Sequence, residues 1–321
     1  MFQITRDKKS DSQWLLEHVA NIHRLGKSPE IFLDGHGNIF NPITTLKLCA
    51  LEYYVNLYTR VLNEENVRLN HWNGIAFLDV FAGSGLNLIG KNHSPIAGSL
   101  PIAVKCHFQG KSCSHPFNHY YGIEKDQNHF NALEARMKSL GVTQNSTIKH
   151  DLAENALPEI ISDIEKNNYH YLAFIDFEGV KGLSKEKMDS LLKIKGDLMI
   201  THILSERRTL GRAKKGMGDE MILEKKYGEG VLEICETEDD LQELYISNIK
   251  EHDREHIITI NIESGNGYAY RLIFAIRNTK GNSQFIPGIL ALKKRIEAFS
   301  GVDAQHIINQ LDGRMSRLPE I

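Results

Sequence analysis

The sequence has few cysteines, no long apolar run and almost no net charge. Its 321 residues include four cysteines, and 38 Lys and Arg stand against 41 Asp and Glu, for a formal net charge of −3. Few, scattered cysteines exclude a disulfide scaffold and favour a reduced environment. No apolar run reaches the roughly 18–20 residues that cross a bilayer, and the N-terminus lacks the apolar core of a signal peptide. We therefore expect a cytoplasmic protein without a membrane partner.

The rest of the composition is that of a globular protein. Hydrophobic residues make up 41 % and charged residues 25 % of the chain, which excludes a disordered or fibrous protein. The length allows one large domain with appendages or two modest domains. Because the charges nearly balance, any contact with nucleic acid has to come from a local basic patch.

Helical and strand-like patterns alternate along the chain. Apolar residues three and four apart predict an amphipathic helix over 43–62, with Thr44 or Thr45 as its N-cap. Short apolar runs then alternate with helical patterns, which predicts βαβ units and a mainly parallel sheet. The strand-like runs are 75–80, 120–123, 147–149, 171–175 and 198–202, and a hairpin through Asn266 and Gly267 joins 256–263 to 268–277.

We predict three regions: a helical extension over 1–72, an α/β domain over 73–290 and a helical tail over 291–321. Within the α/β domain, residues 204–255 are predicted to be a mobile basic loop and a helical insertion, because the stretch SERRTLGRAKKGMGDE has few large apolar residues. The loop's cations either hold a nucleic-acid backbone or face solvent. They are Arg207, Arg208, Arg212, Lys214 and Lys215.

A glycine turn follows the first predicted strand. The strand ends at Asp79 and runs into Gly83-Ser84-Gly85 before another apolar segment. Glycine reaches positive φ without a steric penalty and lets a ligand approach the backbone, and a strand, glycine turn and helix form a nucleotide site at the carboxyl edge of a parallel sheet. A dinucleotide fingerprint would need glycine where Leu88 stands, and the Walker lysine is absent, so both pyrophosphate sites are disfavoured.

Four consecutive predicted strands each end in a carboxylate. These residues are Asp79, Glu124, Asp151 and Asp176. Each alone can be a helix cap or a solvated loop acid. Because the carboxyl ends of parallel strands share one edge of the sheet, their repetition predicts a common site there.

This layout resembles the class I S-adenosylmethionine-dependent methyltransferases, in which D-x-F-x-G-x-G is followed by acids after the next three strands. The resemblance implies a Rossmann-like methyltransferase fold: a mostly parallel seven-stranded sheet with a C-terminal antiparallel hairpin, preceded here by the helical extension. More narrowly, residues 42–290 resemble the three-Cys-motif partner (TcmP) family of bacterial proteins, although Leu100 interrupts the glycine-serine-proline element. The matching segments are 44–47, 79–85, 98–103, 123–126, 174–179 and 270–275.

The resemblance implies S-adenosylmethionine as the cofactor and assigns roles by position. The glycine turn passes under the methionine portion, with Asp79 near its amino group; Glu124 binds the ribose hydroxyls, Asp151 binds the adenine amine, and Asp176 faces the methyl group and the substrate. The implied cofactor-binding residues are Asp79, Phe81, Gly83, Ser84, Gly85, Glu124, Lys125, Asp151 and Leu152, and the implied catalytic residues are Asp176, Phe177 and Glu178.

One departure from the methyltransferases that act on exocyclic base amines leaves the function open. Those enzymes carry prolines after the fourth-strand acid, whereas this chain reads Asp176-Phe-Glu-Gly179. Glu178 is either a general base or a solvated residue. We predict a methyltransferase of unknown substrate, with nucleic acid as one candidate. The alternatives are a non-catalytic partner of a protein encoded nearby, and a nucleic-acid-processing or defence component.

A short segment rich in thiols and imidazoles offers a metal site as an alternative to a surface loop. A zinc ion would use Cys106, Cys113, His115 and His119. Their spacing is not that of a zinc ribbon or knuckle, and we therefore predict a surface loop without metal.

Overall fold

The computed structural model describes residues 11–69, 71–107, 117–177, 182–203, 206–265, 269–278 and 282–314. Its strands are β1 (Asn38–Phe40), β2 (Gly74–Asp79), β3 (Leu86–Ile89), β4 (Ser94–Ala97), β5 (His119–Glu124), β6 (Ser146–His150), β7 (Tyr169–Ile175), β8 (Gly196–Ile203), β9 (His256–Glu263) and β10 (Ala269–Ile276).

Thirteen α-helices are described between and around these strands. They are α1 (Asp11–Gly26), α2 (Pro29–Phe32), α3 (Ile43–Leu69), α4 (Ser99–Lys105), α5 (Gln127–Ser139), α6 (Ala153–Lys166), α7 (Lys185–Lys193), α8 (Glu206–Ala213), α9 (Glu220–Tyr227), α10 (Val231–Ile234), α11 (Glu238–Lys250), α12 (Asn282–Ile296) and α13 (Gly301–Leu311).

The large sheet has seven strands in the order β6-β5-β2-β7-β8-β10-β9. Five neighbouring strands of this sheet run parallel to one another, namely β6, β5, β2, β7 and β8. Strand β10 is antiparallel to both β8 and β9. Strand β2 is buried along its whole length, as expected of a central strand with both faces covered. The predicted fold class, a mostly parallel seven-stranded Rossmann-like sheet with a C-terminal antiparallel hairpin, is confirmed.

A second, three-stranded sheet lies next to the glycine turn. The apolar segment that follows the turn is a strand: β3 and β4 form an antiparallel pair, and α4 begins only at Ser99. Strand β1 completes this sheet by pairing parallel to β3. This differs from the helix of the general nucleotide site, because β3 pairs with β4 next to it in sequence and with β1 in the N-terminal segment.

The insertion after β8 is helical where a mobile loop was predicted. Helix α8 covers 206–213, and α9, α10 and α11 follow it. Leu210 and Ala213 are buried in a hydrophobic cluster with Leu223 and Tyr227 of α9. The loop interpretation is wrong for this part because two apolar residues three apart suffice to seat a short helix against a neighbour.

Helix α3 begins before the predicted cap. The backbone N–H groups of Thr44 and Thr45 donate to the carbonyls of Asn41 and Pro42, and both threonines are buried inside the first turn. The assignment of either threonine as the N-cap is therefore wrong, whereas the helix itself is confirmed and extends over Ile43–Leu69.

The terminal helices share a core with the sheet. One hydrophobic cluster joins Trp14 and Val19 of α1 to α3, to the sheet and to Ile307 of α13. The boundary that we predicted at residue 290 falls inside α12. Across the described part of the chain, no helix combines the length and apolar character that a bilayer-spanning segment needs.

Candidate functional site at the carboxyl edge of the sheet

Three of the predicted carboxylates converge at one edge of the sheet. Asp79 ends β2, Glu124 ends β5, and Asp176 directly follows β7. Burial raises the pKa of Asp79 to about 7, and the negative charges of Asp176 and Glu124 contribute in the same direction. Strands β5, β2 and β7 are adjacent and parallel, so the three groups lie side by side at one edge of the sheet.

Asp79 forms hydrogen bonds with two segments that flank the glycine turn. Its side chain is fully buried, accepts a hydrogen bond from the Ser99 hydroxyl, and accepts a second from the Phe81 N–H at 3.3 Å. Both partners belong to segments that border the turn. Asp79 is therefore enclosed by the turn and α4 and has no exposed surface.

The glycine turn needs glycine for two physical reasons. Gly83 and Gly85 have φ of +60° and +80°, a region that side chains with a Cβ rarely adopt. Gly98 packs on the same turn: its N–H donates to the Gly85 carbonyl at 2.8 Å, and a Cβ on Gly98 would lie 2.7 Å from that backbone. The turn and the start of α4 are thus held in close backbone contact.

Glu124 holds the turn from the neighbouring strand. Its Oε2 accepts from the Gly83 N–H at 2.9 Å and its Oε1 from the Asp126 N–H at 2.7 Å. Each carboxylate oxygen has two acceptor sites, so both oxygens keep one for a further donor. This geometry fits a residue that accepts bonds from the two hydroxyls of a ribose.

The fourth carboxylate, Asp151, follows the neighbouring strand β6, and its backbone N–H donates to the Glu124 carbonyl at 3.2 Å. Asp151 is exposed, and its Oδ1 accepts from Asn155 Nδ2 at 2.9 Å and from the Leu152 N–H at 2.6 Å. These two bonds lower the pKa of Asp151, and they place it at the start of α6. Leu152 is 54 % exposed and Lys125 is exposed as well, so this end of the site is open and offers apolar surface to a flat ring.

Asp176 forms an ion pair with a lysine that the site prediction omitted. Lys47 Nζ, from α3, donates to Asp176 Oδ2. The same Nζ lies 5.8 Å from the ring centres of both Phe40 and Tyr270. The only sequence signal for this residue was its place in the 44–47 element of the family resemblance.

Phe177 is buried rather than presented to solvent. Its ring makes an edge contact with Phe81, with the centroids 6.3 Å apart, and Lys226 Nζ lies 4.4 Å from its centroid. Phe177 therefore packs between the edge of the sheet and the helical insertion. Glu178 lies outside the described residues.

The N-terminal segment is tied to the glycine turn by a second missed residue. Arg136, fully buried on α5, donates to the carbonyls of Ile31, His36 and Ser84, each at 2.6 Å. Asn38 Oδ1 accepts from the Ser84 N–H at 2.9 Å. The site thus includes the segment 31–40, which no local pattern links to the turn.

The basic cluster is partly neutralised by acids of the insertion. Arg212 forms an ion pair with Asp219 at 2.8 Å, and the charge of Lys214 acts on the carboxylate of Asp240. Lys214 and Lys215 are both exposed. Arg207 and Arg208 lie on α8, and the positions of their side chains are outside the described part of the structure.

Half of the candidate metal segment is outside the described residues, namely Cys113 and His115. Burial raises the pKa of the Cys106 thiol, and His119 Nε2 shares a hydrogen bond with Thr147 Oγ1 at 2.9 Å. Within the described ranges, no three His, Cys, Asp or Glu side chains are grouped so that they could hold a metal ion.

Solved structures of similar shape include three with bound cofactor. An O-methyltransferase from Bacillus cereus in complex with SAH shares 11 % identity over 85 % of this chain and 94 % of its own, with a TM-score of 0.39. The O-methyltransferase TomG from Streptomyces achromogenes, in complex with SAM, shares 12 % identity over 82 % of this chain and 90 % of its own, with a TM-score of 0.36. Cofactor-bound Rv0187 from MTB shares 10 % identity over 82 % of this chain and 90 % of its own, with a TM-score of 0.38.

These likenesses are too distant to assign an activity to this chain. No protein family profile matches the sequence, and no curated protein matches it either.

Proposed function

We propose that this protein is an S-adenosylmethionine-dependent methyltransferase. The observation that carries the proposal is the convergence of a glycine turn with three strand-end carboxylates at the carboxyl edge of a β6-β5-β2-β7-β8-β10-β9 sheet. That edge is where ligands bind in open α/β folds. The narrower assignment to the TcmP family stays part of the proposal.

The residues present fit the cofactor. Glu124 keeps an acceptor site on each oxygen for the ribose diol, and exposed Leu152 offers apolar surface for the adenine. Asp79 holds the turn that would pass under the methionine portion. When bound, S-adenosylmethionine supplies a methyl group on a positively charged sulfur.

Asp176 supplies the proton chemistry in this proposal. Its side chain is 21 % exposed at the end of β7, so an acceptor can reach it from solvent. A carboxylate there can take the proton that the methyl acceptor loses. Phe177 and Phe81 shield the adjoining side from water.

Cofactor binding to a Glu124 variant tests the proposal. Glu124→Gln replaces one carboxylate oxygen by an amide donor, so we expect its affinity for S-adenosylmethionine in calorimetry to fall at least about tenfold, as a lost charge-assisted hydrogen bond requires. Glu134→Gln, on an exposed position of α5, is the matched control and should bind like the wild type. If the wild type does not bind, or if Glu124→Gln binds equally well, this cofactor geometry is wrong.

As the methyl acceptor of this methyltransferase, we propose nucleic acid. Helix α8 starts just beyond the carboxyl end of β8, and exposed Lys214 and Lys215 follow it. Exchange of both lysines for glutamate should weaken binding of total RNA or DNA and make the salt dependence of binding less steep. Unchanged binding in filter assays between 50 and 200 mM salt, the range over which phosphate contacts weaken strongly, would exclude this surface.

A non-catalytic partner protein is the second candidate. It is favoured by the glycine turn, whose Gly83 and Ser84 N–H groups already bond to Glu124 and Asn38 within the protein. This candidate predicts that the wild type binds no cofactor, or binds it without transferring methyl to nucleic acid, protein or small molecules.

A further inference from the structure

We infer that the methyl acceptor attacks as an anion, formed from a hydroxyl or a lactam-type ring N–H, and that Lys47 stabilises this anion. The inference rests on the proposed methyltransferase function. It is carried by the contact of Lys47 with Asp176 at the point where the acceptor would meet the cofactor.

Lys47 is a buried charge with a fixed position. Its side chain is 7 % exposed, and the rings of Phe40 and Tyr270 flank its Nζ at 5.8 Å each. The Tyr270 hydroxyl donates to the Ile43 carbonyl at 2.8 Å, which holds that ring against the first turn of α3. A cation between apolar rings and away from water is weakly screened, so its field on the acceptor is strong.

Burial makes the ion pair necessary in the resting protein. Burying an ammonium group without an opposite charge costs much free energy. Asp176 supplies the opposite charge, and its greater exposure leaves one side of the carboxylate open to an acceptor. The pair therefore holds the Lys47 ammonium group beside the open side of the carboxylate.

The charge of Lys47 discriminates between acceptor types. A neutral amine that attacks a sulfonium methyl group gains positive charge in the transition state, and a fixed ammonium beside it raises the barrier. An acceptor that has lost its proton gains no such charge, and the ammonium stabilises it in advance. Asp176 is followed by Phe177 rather than proline, so the adjoining chain does not have the form of the exocyclic-amine enzymes.

The step balances with the groups present. Asp176 takes the proton of the acceptor's O–H or N–H, and Lys47 then faces the resulting anion. The anion's electron pair forms the bond to the methyl carbon, while the electrons of the broken carbon–sulfur bond stay on sulfur. Asp176 finally releases its proton to solvent.

The test combines product chemistry with a pH profile. Tritiated S-adenosylmethionine is incubated with the protein and a cell extract, and the labelled product is classified by mass spectrometry. The rate of labelling is then measured from pH 6 to pH 10 for the wild type, Lys47→Met, Lys47→Arg and Lys138→Met, a control at an exposed position near the end of α5.

Loss of Lys47 should raise the pKa of the bound acceptor. We expect Lys47→Met to lose about tenfold in rate at pH 7 for each unit of that rise and to recover at high pH. Lys47→Arg, which retains the charge, should lose less rate at pH 7 than Lys47→Met, and Lys138→Met should keep the wild-type profile. All variants should bind the cofactor with wild-type affinity in calorimetry, which shows that the fold is intact.

Each other result overturns the inference. An N-methylamine product, or a Lys47→Met profile that falls equally at every pH, contradicts an anionic acceptor. A wild type that binds no S-adenosylmethionine, or transfers no label from it, instead overturns the proposed methyltransferase function itself.

Discussion

At the scale of single residues, the site depends on charged groups that are held away from water. Asp79 is fully buried, and burial raises its pKa to about 7. Lys47 is nearly as buried and forms an ion pair with Asp176. Such costly groups are retained in proteins mainly where they position other groups or take part in chemistry.

The raised pKa of Asp79 predicts a pH-dependent stability. Its folded-state pKa of about 7 lies above the ordinary value of 3.8. The contribution of the protonated side chain to stability is therefore complete below pH 3.8 and is lost as the pH rises from 3.8 through about 7. Asp79→Asn should therefore gain about 2 kcal/mol relative to the wild type between pH 5 and pH 8. Urea denaturation at both pH values measures this, and a difference that does not change with pH would contradict it.

At the scale of elements, one arginine joins three segments that are distant in sequence. Arg136 of α5 bonds to carbonyls of α2, of the segment before β1 and of the glycine turn. Because a guanidinium presents several donors in a fixed plane, a single side chain can satisfy all three carbonyls. The second sheet and the turn are thereby locked into one arrangement.

Removal of this arginine should loosen the site and the fold together. Arg136→Met leaves the buried carbonyls of Ile31 and Ser84 and the partly buried carbonyl of His36 without their donor. We therefore expect a loss of at least about 3 kcal/mol in the free energy of unfolding and weaker binding of S-adenosylmethionine. The stability of Arg136→Lys should lie between those of the wild type and Arg136→Met, since lysine retains the charge but not the planar set of guanidinium donors. Arg24→Met, at an exposed position of α1, is the control and should change stability by less than about 0.5 kcal/mol. A stable Arg136→Met protein would show that the three bonds are dispensable.

At the scale of the whole molecule, the first and the last of the described helices, α1 and α13, contact each other. Asp312, just after α13, accepts hydrogen bonds from His23 at 3.0 Å, from Lys27 at 2.7 Å and from Ser94 at 2.5 Å. Burial by itself would raise the pKa of Asp312, but the bonds from Lys27, Ser94 and His23 lower it to about 2. This carboxylate therefore links α1, the second sheet and the C-terminal helix.

Asp312 predicts a stability change of opposite sign to that of Asp79. A folded-state pKa below the ordinary 3.8 stabilises the protein above that value, and the contribution disappears as the pH falls towards 2. Asp312→Asn should lower the free energy of unfolding by about 1 to 2 kcal/mol at pH 6, with a smaller deficit at pH 3. Guanidinium denaturation at the two pH values tests this prediction. A deficit of equal size at both would mean that the link is not ionic.

The sequence by itself determined the sheet and the positions of its acids. Strand periodicity, the Asp79 to Gly85 turn and the hairpin signal depend on local patterns, which a chain carries wherever it folds. The convergence of Asp79, Glu124 and Asp176 followed from these patterns because parallel strands share one carboxyl edge.

The tertiary structure alone decided what surrounds those acids. The pairing of β1 with β3, the arginine that bonds to three distant carbonyls and the lysine that meets Asp176 are all contacts between segments far apart in sequence. The helical state of 206–213 is of the same kind, since its two apolar residues mean little until a neighbouring surface buries them. Local patterns place functional groups on strands, but only the packing of remote segments determines their charge, their exposure and hence the chemistry they can perform.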